Sequence, residues 1–118
     1  RAEKMSWRDQ MEKELCILAG IYDMTVDVYS KFPSWEFNPD SALRNTLLKA
    51  YKEVKGTEME LLATHGGLEC GVFCDMIPGL DVVTLGAETD GAHTPQEQMN
   101  LKSFDQTFEV LKNLLERL

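Results

Sequence analysis

The chain has 118 residues, the length of one ordinary domain, and 43% hydrophobic with 27% charged residues is the composition of a soluble globular protein, which excludes disorder. Lys and Arg number 12 against 20 Asp and Glu, giving a formal charge of -8 with the basic residues scattered, so neither nucleic acid nor an anionic membrane is an expected partner. No apolar run approaches the ~18 residues of a membrane span, no signal-peptide pattern opens the chain, and the expected location is cytoplasmic.

The sequence opens at Arg1 inside a charged, helix-compatible run, with no initiator Met and no capping residue ahead, which predicts a piece of a longer protein. Residues 4–20 carry Met11, Leu15 and Leu18, followed by Ile21 and Tyr22, at helical spacing, so an amphipathic helix is expected with Gly20 as its terminator. Residues 24–31 alternate, Val26 and Val28 against Asp27, Tyr29 and Lys31, as a strand with one buried face does. Pro33 and Pro39 then forbid a regular element, and Phe32, Trp35 and Phe37 predict a linker packed against something.

Asp40 or Ser41 is placed to cap a second helix, whose stripe of Leu43, Leu47, Ala50, Tyr51 and Val54 should end at Gly56. A strand is expected over 58–64, leading into His65-Gly66-Gly67, then a short helix over 68–76 closed by Pro78-Gly79. Leu80, Val82, Val83 and Leu85 form a nearly continuous apolar run, the pattern of a strand buried on both faces of a parallel sheet. Helix, strand, helix, strand is α/β order. A last helix is marked by Ser103 and Gln106 as a capping box, with Phe104, Phe108, Leu111, Leu115 and Leu118 as the stripe that should lie on the sheet.

Chemistry is expected where loops leave that sheet. The loop from Gly86 to Glu97 carries His93 between Gly91-Ala92 and Pro95, residues that hold an imidazole on a segment of limited freedom. If the two strands are parallel neighbours, His65 and His93 emerge at the same edge, where open α/β sheets bind ligands. Glu69, Glu88, Asp90 and Glu97 stand near them in sequence and suit a borderline cation such as zinc, although each is equally a plain surface charge by spacing alone. Gly66-Gly67 ahead of a helix either cradles an anion on free amides or simply turns the chain. Cys16, Cys70 and Cys74 are an odd count without paired spacing, which predicts reduced thiols, with Cys70 and Cys74 as small buried apolar residues.

The segments Thr64-His65-Gly66-Gly67-Leu68-Glu69-Cys70-Gly71, Pro78-Gly79-Leu80-Asp81, and Gly91-Ala92-His93-Thr94-Pro95-Gln96-Glu97 together resemble the C-terminal part of aminoacyl-histidine dipeptidases (Xaa-His dipeptidases, peptidase D) of metallopeptidase family M20. The likeness runs nearly the whole chain, including Phe32-Pro33-Ser34-Trp35. It implies an enzyme with a catalytic α/β domain holding two zinc ions and an inserted lid that mediates a homodimer. Residues 1–33 would be the last helix and strand of the lid, and 34–118 the C-terminal part of the catalytic domain. His93 would ligate one metal; His65, Gly66, Gly67 and Glu69 would contact the dipeptide substrate. The chain departs from the family pattern at Gly66 (usually Ala), Thr94 (usually Ser) and Gln96 (usually acidic), which leaves the histidine in place. The other ligands and the general-base glutamate fall in a part of the family's catalytic domain that this chain lacks, so the chain alone is not expected to be active. The alternatives are another M20 amidohydrolase, such as a tripeptidase, carboxypeptidase or deacylase, or a non-catalytic α/β interaction module.

Overall fold

Residues 2–63 and 67–118 are described by a computed structural model. They group into two compact units, Arg1–Pro39 with Ala63–Leu80, and Asp40–Leu62 with Asp81–Leu118. No helix among the described residues is long and apolar enough to cross a membrane.

In the first unit, α1 (Met5–Ile21) forms where the 3.6-residue spacing predicts it. Its end differs from expectation: the helix runs through Gly20, and Asp23 takes the left-handed conformation (φ 51) instead. The Met24 N–H then reaches the Ala19 carbonyl at 2.8 Å and the Asp23 N–H reaches that of Gly20 at 3.4 Å. This is a Schellman closure, with a short polar side chain where glycine usually stands.

The proline-bearing segment lies along the start of α1. Arg8 donates to the Phe32 carbonyl at 3.1 Å, Ser34 Oγ donates to the Ala2 carbonyl at 2.7 Å, and the Met5 N–H donates to Glu36 Oε1 at 3.1 Å. A third piece, α3 (Glu69–Met76), joins them so closely that a Cβ at Gly71 would meet the Pro33 carbonyl oxygen at 2.7 Å. The linker is therefore packed from Phe32 to Trp35, as expected, while Phe37 is exposed.

The second unit is built on α2 (Ala42–Lys55) and α4 (Leu101–Leu115). Ser41 Oγ accepts the Arg44 N–H at 2.9 Å, and Gly56 (φ 73) closes the other end by donating to Lys52, both as expected. Asp81 adds a second cap, its Oδ2 accepting the Leu43 N–H at 3.0 Å. The hydroxyl of Ser41 and the backbone N–H of Leu43 are the main causes that hold the Asp81 carboxyl below its ordinary pKa. Between the helices Leu47, Ala50, Val110 and Leu114 are buried, with Leu43, Tyr51, Val54, Met59, Val83 and Leu85 packed around them.

Three expectations are corrected. The predicted strands over 24–31, 58–64 and 80–85 form no ladder among the described residues. Alternating or continuous apolar runs specify which side chains meet a core, whereas a strand also needs a neighbouring backbone to pair its N–H and C=O groups. Over 24–31 Val26 and Val28 stay exposed and Ser30 adopts φ 53, which interrupts an extended run. Over 80–85 Val83 and Leu85 lean on the two helices. The sheet is instead the antiparallel pair β1 (Thr89–Asp90) and β2 (Gln98–Met99), with Thr89 opposite Met99 and Asp90 opposite Gln98. The architecture is thus mixed, helices with a small sheet.

Helix α4 also starts earlier than predicted, since Asn100 and not Ser103 caps it, its Oδ1 accepting the Ser103 N–H at 3.2 Å. Finally, the predicted stripe of Phe104, Phe108, Leu111, Leu115 and Leu118 is the open face of α4, and the face carrying Ser103, Val110 and Leu114 is the buried one.

Leu114→Ala is expected to destabilise the chain by about 2–5 kcal/mol, and Leu115→Ala, one residue on but 61% exposed, by about 0.5 kcal/mol; paired urea denaturation curves measure both. Because the Asp81 carboxyl has a lowered folded pKa, its contribution is complete above the ordinary aspartate range and is lost as pH falls through that lowered value. Acid titration followed by helical circular dichroism should show this loss, and Asp81→Asn should flatten it.

Candidate functional site

The hairpin over residues 88–100 is fixed to the start of α4 by one buried serine. Ser103 Oγ accepts the Glu88 N–H at 2.8 Å and donates to the Asn100 carbonyl at 2.7 Å. Glu88 and Asn100 then close the base of the hairpin on each other: the Asn100 N–H donates to the Glu88 carbonyl at 2.9 Å, and Asn100 Nδ2 donates to Glu88 Oε2 at 3.1 Å. Thr107 Oγ1 adds a bond to the Gly86 carbonyl at 3.2 Å. The chain that carries His93 therefore starts and returns at a defined place on the helix.

Two consecutive turns form the tip. In the first, the Thr94 N–H donates to the Gly91 carbonyl at 3.1 Å, and His93 occupies the third position with φ 65, as a type II turn requires. In the second, the Glu97 N–H donates to the Thr94 carbonyl at 3.1 Å, with Pro95 in the second position that its fixed φ suits. Histidine is among the non-glycine residues that tolerate the left-handed region, so His93 can hold this place. Its backbone N–H reaches Glu97 Oε2 at 3.4 Å, and its side chain is exposed.

Charge around the tip is of one sign. From Gly86 to Asn100 the sequence contains Glu88, Asp90 and Glu97 and no Lys or Arg, so the local potential favours a cation. Each carboxylate is nevertheless engaged: Asp90 Oδ1 accepts the Gly91 N–H at 2.9 Å, Glu97 accepts from His93, and Glu88 accepts from Asn100. Beside the ladder lies an open groove of about 350 Å³ lined by Glu88, Thr89, Asp90, Gln98, Met99 and Asn100.

Among the described residues no three His, Cys, Asp or Glu side chains converge to hold a metal. The donor set fits zinc as a single contribution, one imidazole presented to solvent, with further ligands needed from elsewhere. His65 and Gly66 lie outside the described residues. Gly67 is half-buried, and Glu69 is the exposed first residue of α3, where its charge suits the helix N-terminus. Those two belong to the first unit and His93 to the second. Cys70 and Cys74 are half-buried and not buried as predicted, because α3 is a short helix with only Gly71 fully covered; Cys16 is exposed.

Sequence reading missed Ser103 as an anchor and Thr94 as a turn residue. Asn100, two residues ahead of Lys102 in a new helical run, was the available signal for the cap.

The sequence profile described as Peptidase family M20/M25/M40 matches residues 6–117. The chain is 25% identical over 113 residues to a cytosol non-specific dipeptidase of Escherichia coli (strain K12), covering 96% of this chain and 23% of that protein. It is 29% identical over 93 residues to a protein of Pyrococcus abyssi (strain GE5 / Orsay) named "Putative LysW-lysine/LysW-ornithine hydrolase", covering 78% of this chain and 27% of that protein. The chain therefore spans about a quarter of the length of these relatives.

Ser103→Ala is expected to leave the Glu88 N–H unpaired and to destabilise the hairpin base by about 1–3 kcal/mol. Amide hydrogen exchange should then quicken at Glu88 and Asn100 while Leu47 and Val110 keep their protection.

Proposed function

Because the chain belongs to peptidase family M20/M25/M40, we propose that it forms part of a metal-dependent hydrolase of peptide or related amide bonds, in which His93 is this segment's donor to zinc. The observation that carries the reading is an exposed imidazole, held by its backbone at the tip of a hairpin free of positive charge, within a family match that runs through nearly the whole chain.

The finer reading is an aminoacyl-histidine dipeptidase, supported by the motif around His65, the motif around His93 and the likeness to a dipeptidase. In it, residues 1–33 complete a lid that joins two subunits into a homodimer, and residues 34–118 are the C-terminal part of the catalytic domain. His65, Gly66, Gly67 and Glu69 contact the dipeptide. The intact subunit holds two zinc ions in a cytoplasmic enzyme. Bound zinc supplies Lewis-acid polarisation of the scissile carbonyl and acidifies water. His93 gives up the lone pair of one ring nitrogen, which requires the neutral imidazole. The other ring nitrogen needs an acceptor to set the tautomer. The remaining donors and the general base come from the three quarters of the relatives' length that this chain does not span.

The open apolar face of α4, with Phe104 and Phe108 each about half exposed, supports a larger parent. A helix face of that kind is normally covered by another layer. The relative from Pyrococcus abyssi favours a second reading, hydrolysis of an amide on a lysine or ornithine side. A panel of Xaa-His dipeptides beside acylated lysine and ornithine, offered to the full-length protein, separates the two.

In the full-length protein, His93→Ala is expected to lower bound zinc and turnover together, with a loss of metal affinity larger than the roughly 10–100-fold that an outer-shell partner costs. Zinc content measured by atomic absorption, unchanged beside normal turnover, would remove His93 from the site.

A further inference from the structure

We infer that Thr94 is a positioning residue for His93, its hydroxyl clamping the two turns of the hairpin tip and so setting the direction in which the imidazole leaves the backbone. For its functional consequence this rests on the reading of His93 as a zinc donor.

Thr94 makes four hydrogen bonds, and they bracket His93. Its Oγ1 donates to the Gly91 carbonyl at 2.7 Å and accepts the Gln96 N–H at 3.2 Å. Its own N–H donates to the same Gly91 carbonyl at 3.1 Å, and its carbonyl accepts the Glu97 N–H at 3.1 Å. One residue thus closes both turns and cross-links them through its side chain. Two further side chains reach the tip: Asp90 Oδ1 accepts the Gly91 N–H at 2.9 Å where the first turn begins, and Glu97 Oε2 stands 3.4 Å from the His93 nitrogen, at the limit of a hydrogen bond.

Space for the clamp comes from Gly91. A Cβ there would stand 3.2 Å from Thr94 Oγ1 and 3.1 Å from the Gln96 carbonyl oxygen, tighter than ordinary contact, and Gly91 itself has φ 64. His93 needs the clamp because φ 65 is a conformation that a side-chain-bearing residue leaves when nothing holds it. At an exposed tip the backbone bonds of a single turn compete with water, and a hydroxyl bonded on both sides resists that competition. Losing it would let His93 relax toward the extended region and swing its imidazole away from its present direction.

The experiment compares Thr94→Ser, which keeps the hydroxyl, with Thr94→Ala and Thr94→Val, which remove it; valine retains the branched shape. In the isotope-labelled full-length protein, the φ-dependent coupling between the His93 amide and α protons reports the backbone, and unchanged shifts of α2 and α4 residues show that the fold is intact. In the full-length protein, Zn2+ affinity is measured by chelator competition, with His93→Ala as reference. The expected result is that Ala and Val variants lose the left-handed coupling and weaken Zn2+ binding about tenfold, while the Ser variant restores both. An unchanged coupling in the Ala and Val variants, or a Ser variant that behaves like Ala, overturns the inference. If His93→Ala itself leaves Zn2+ affinity untouched, the donor reading fails separately, and the coupling alone decides whether Thr94 holds the backbone.

Discussion

Ala50 has no exposed surface, and the buried cluster it forms with Leu47, Val110 and Leu114 joins α2 to α4 at the centre of the second unit. A larger residue there would lift Val110 and Leu114 out of their contacts and tilt α4. The tilt would be felt at Ser103, the buried residue in the first turn of α4, and through it at Glu88, where the hairpin begins. At the far side, Asp81 caps α2 and Val83 and Leu85 lie on the helix pair, so the strand-like run is pinned at both ends. The tip that carries His93 is exposed, yet its base is referenced to a core contact through two hydrogen bonds.

The hairpin's electrostatics follow from how its carboxylates are occupied. Asp90 and Glu97 spend their oxygens on loop amides and Glu88 on Asn100, so these groups shape the loop and lend it negative potential. The imidazole of His93 is exposed beside them. That division leaves an acidic segment whose carboxylates are engaged within the loop and whose imidazole is exposed, in a chain that belongs to a family of generally metal-dependent peptidases.

Local chemistry was legible in the sequence, and pairing was not. Ser41 and Gly56 bound α2 because caps act within one turn of chain. His93 stood out because Gly91 and Pro95 are local devices too. Asp23 was passed over as a helix end because Gly20 is the more usual residue, and both fit the carbonyls left open there. Val82 to Leu85 read as a strand because apolar runs report burial, but the partner that meets them is a helix pair. The stripe on α4 differs for a related reason: Phe104 and Phe108 outweigh Ser103 in hydrophobicity, but burial follows the partners present, α2 against Val110 and Leu114 and the hairpin base against Ser103. Thr94 was invisible because its role depends on which carbonyls the turns bring to it.

Neither compact unit is a single stretch of polypeptide. The first takes residues 1–39 and 63–80, and the second 40–62 and 81–118, so the backbone passes between them three times. Interleaving of this kind ties their assembly together, since each must wait for sequence that is made after part of the other. A single backbone cut therefore releases no intact half, and transplanting either one into another scaffold would require a new connection between its two segments.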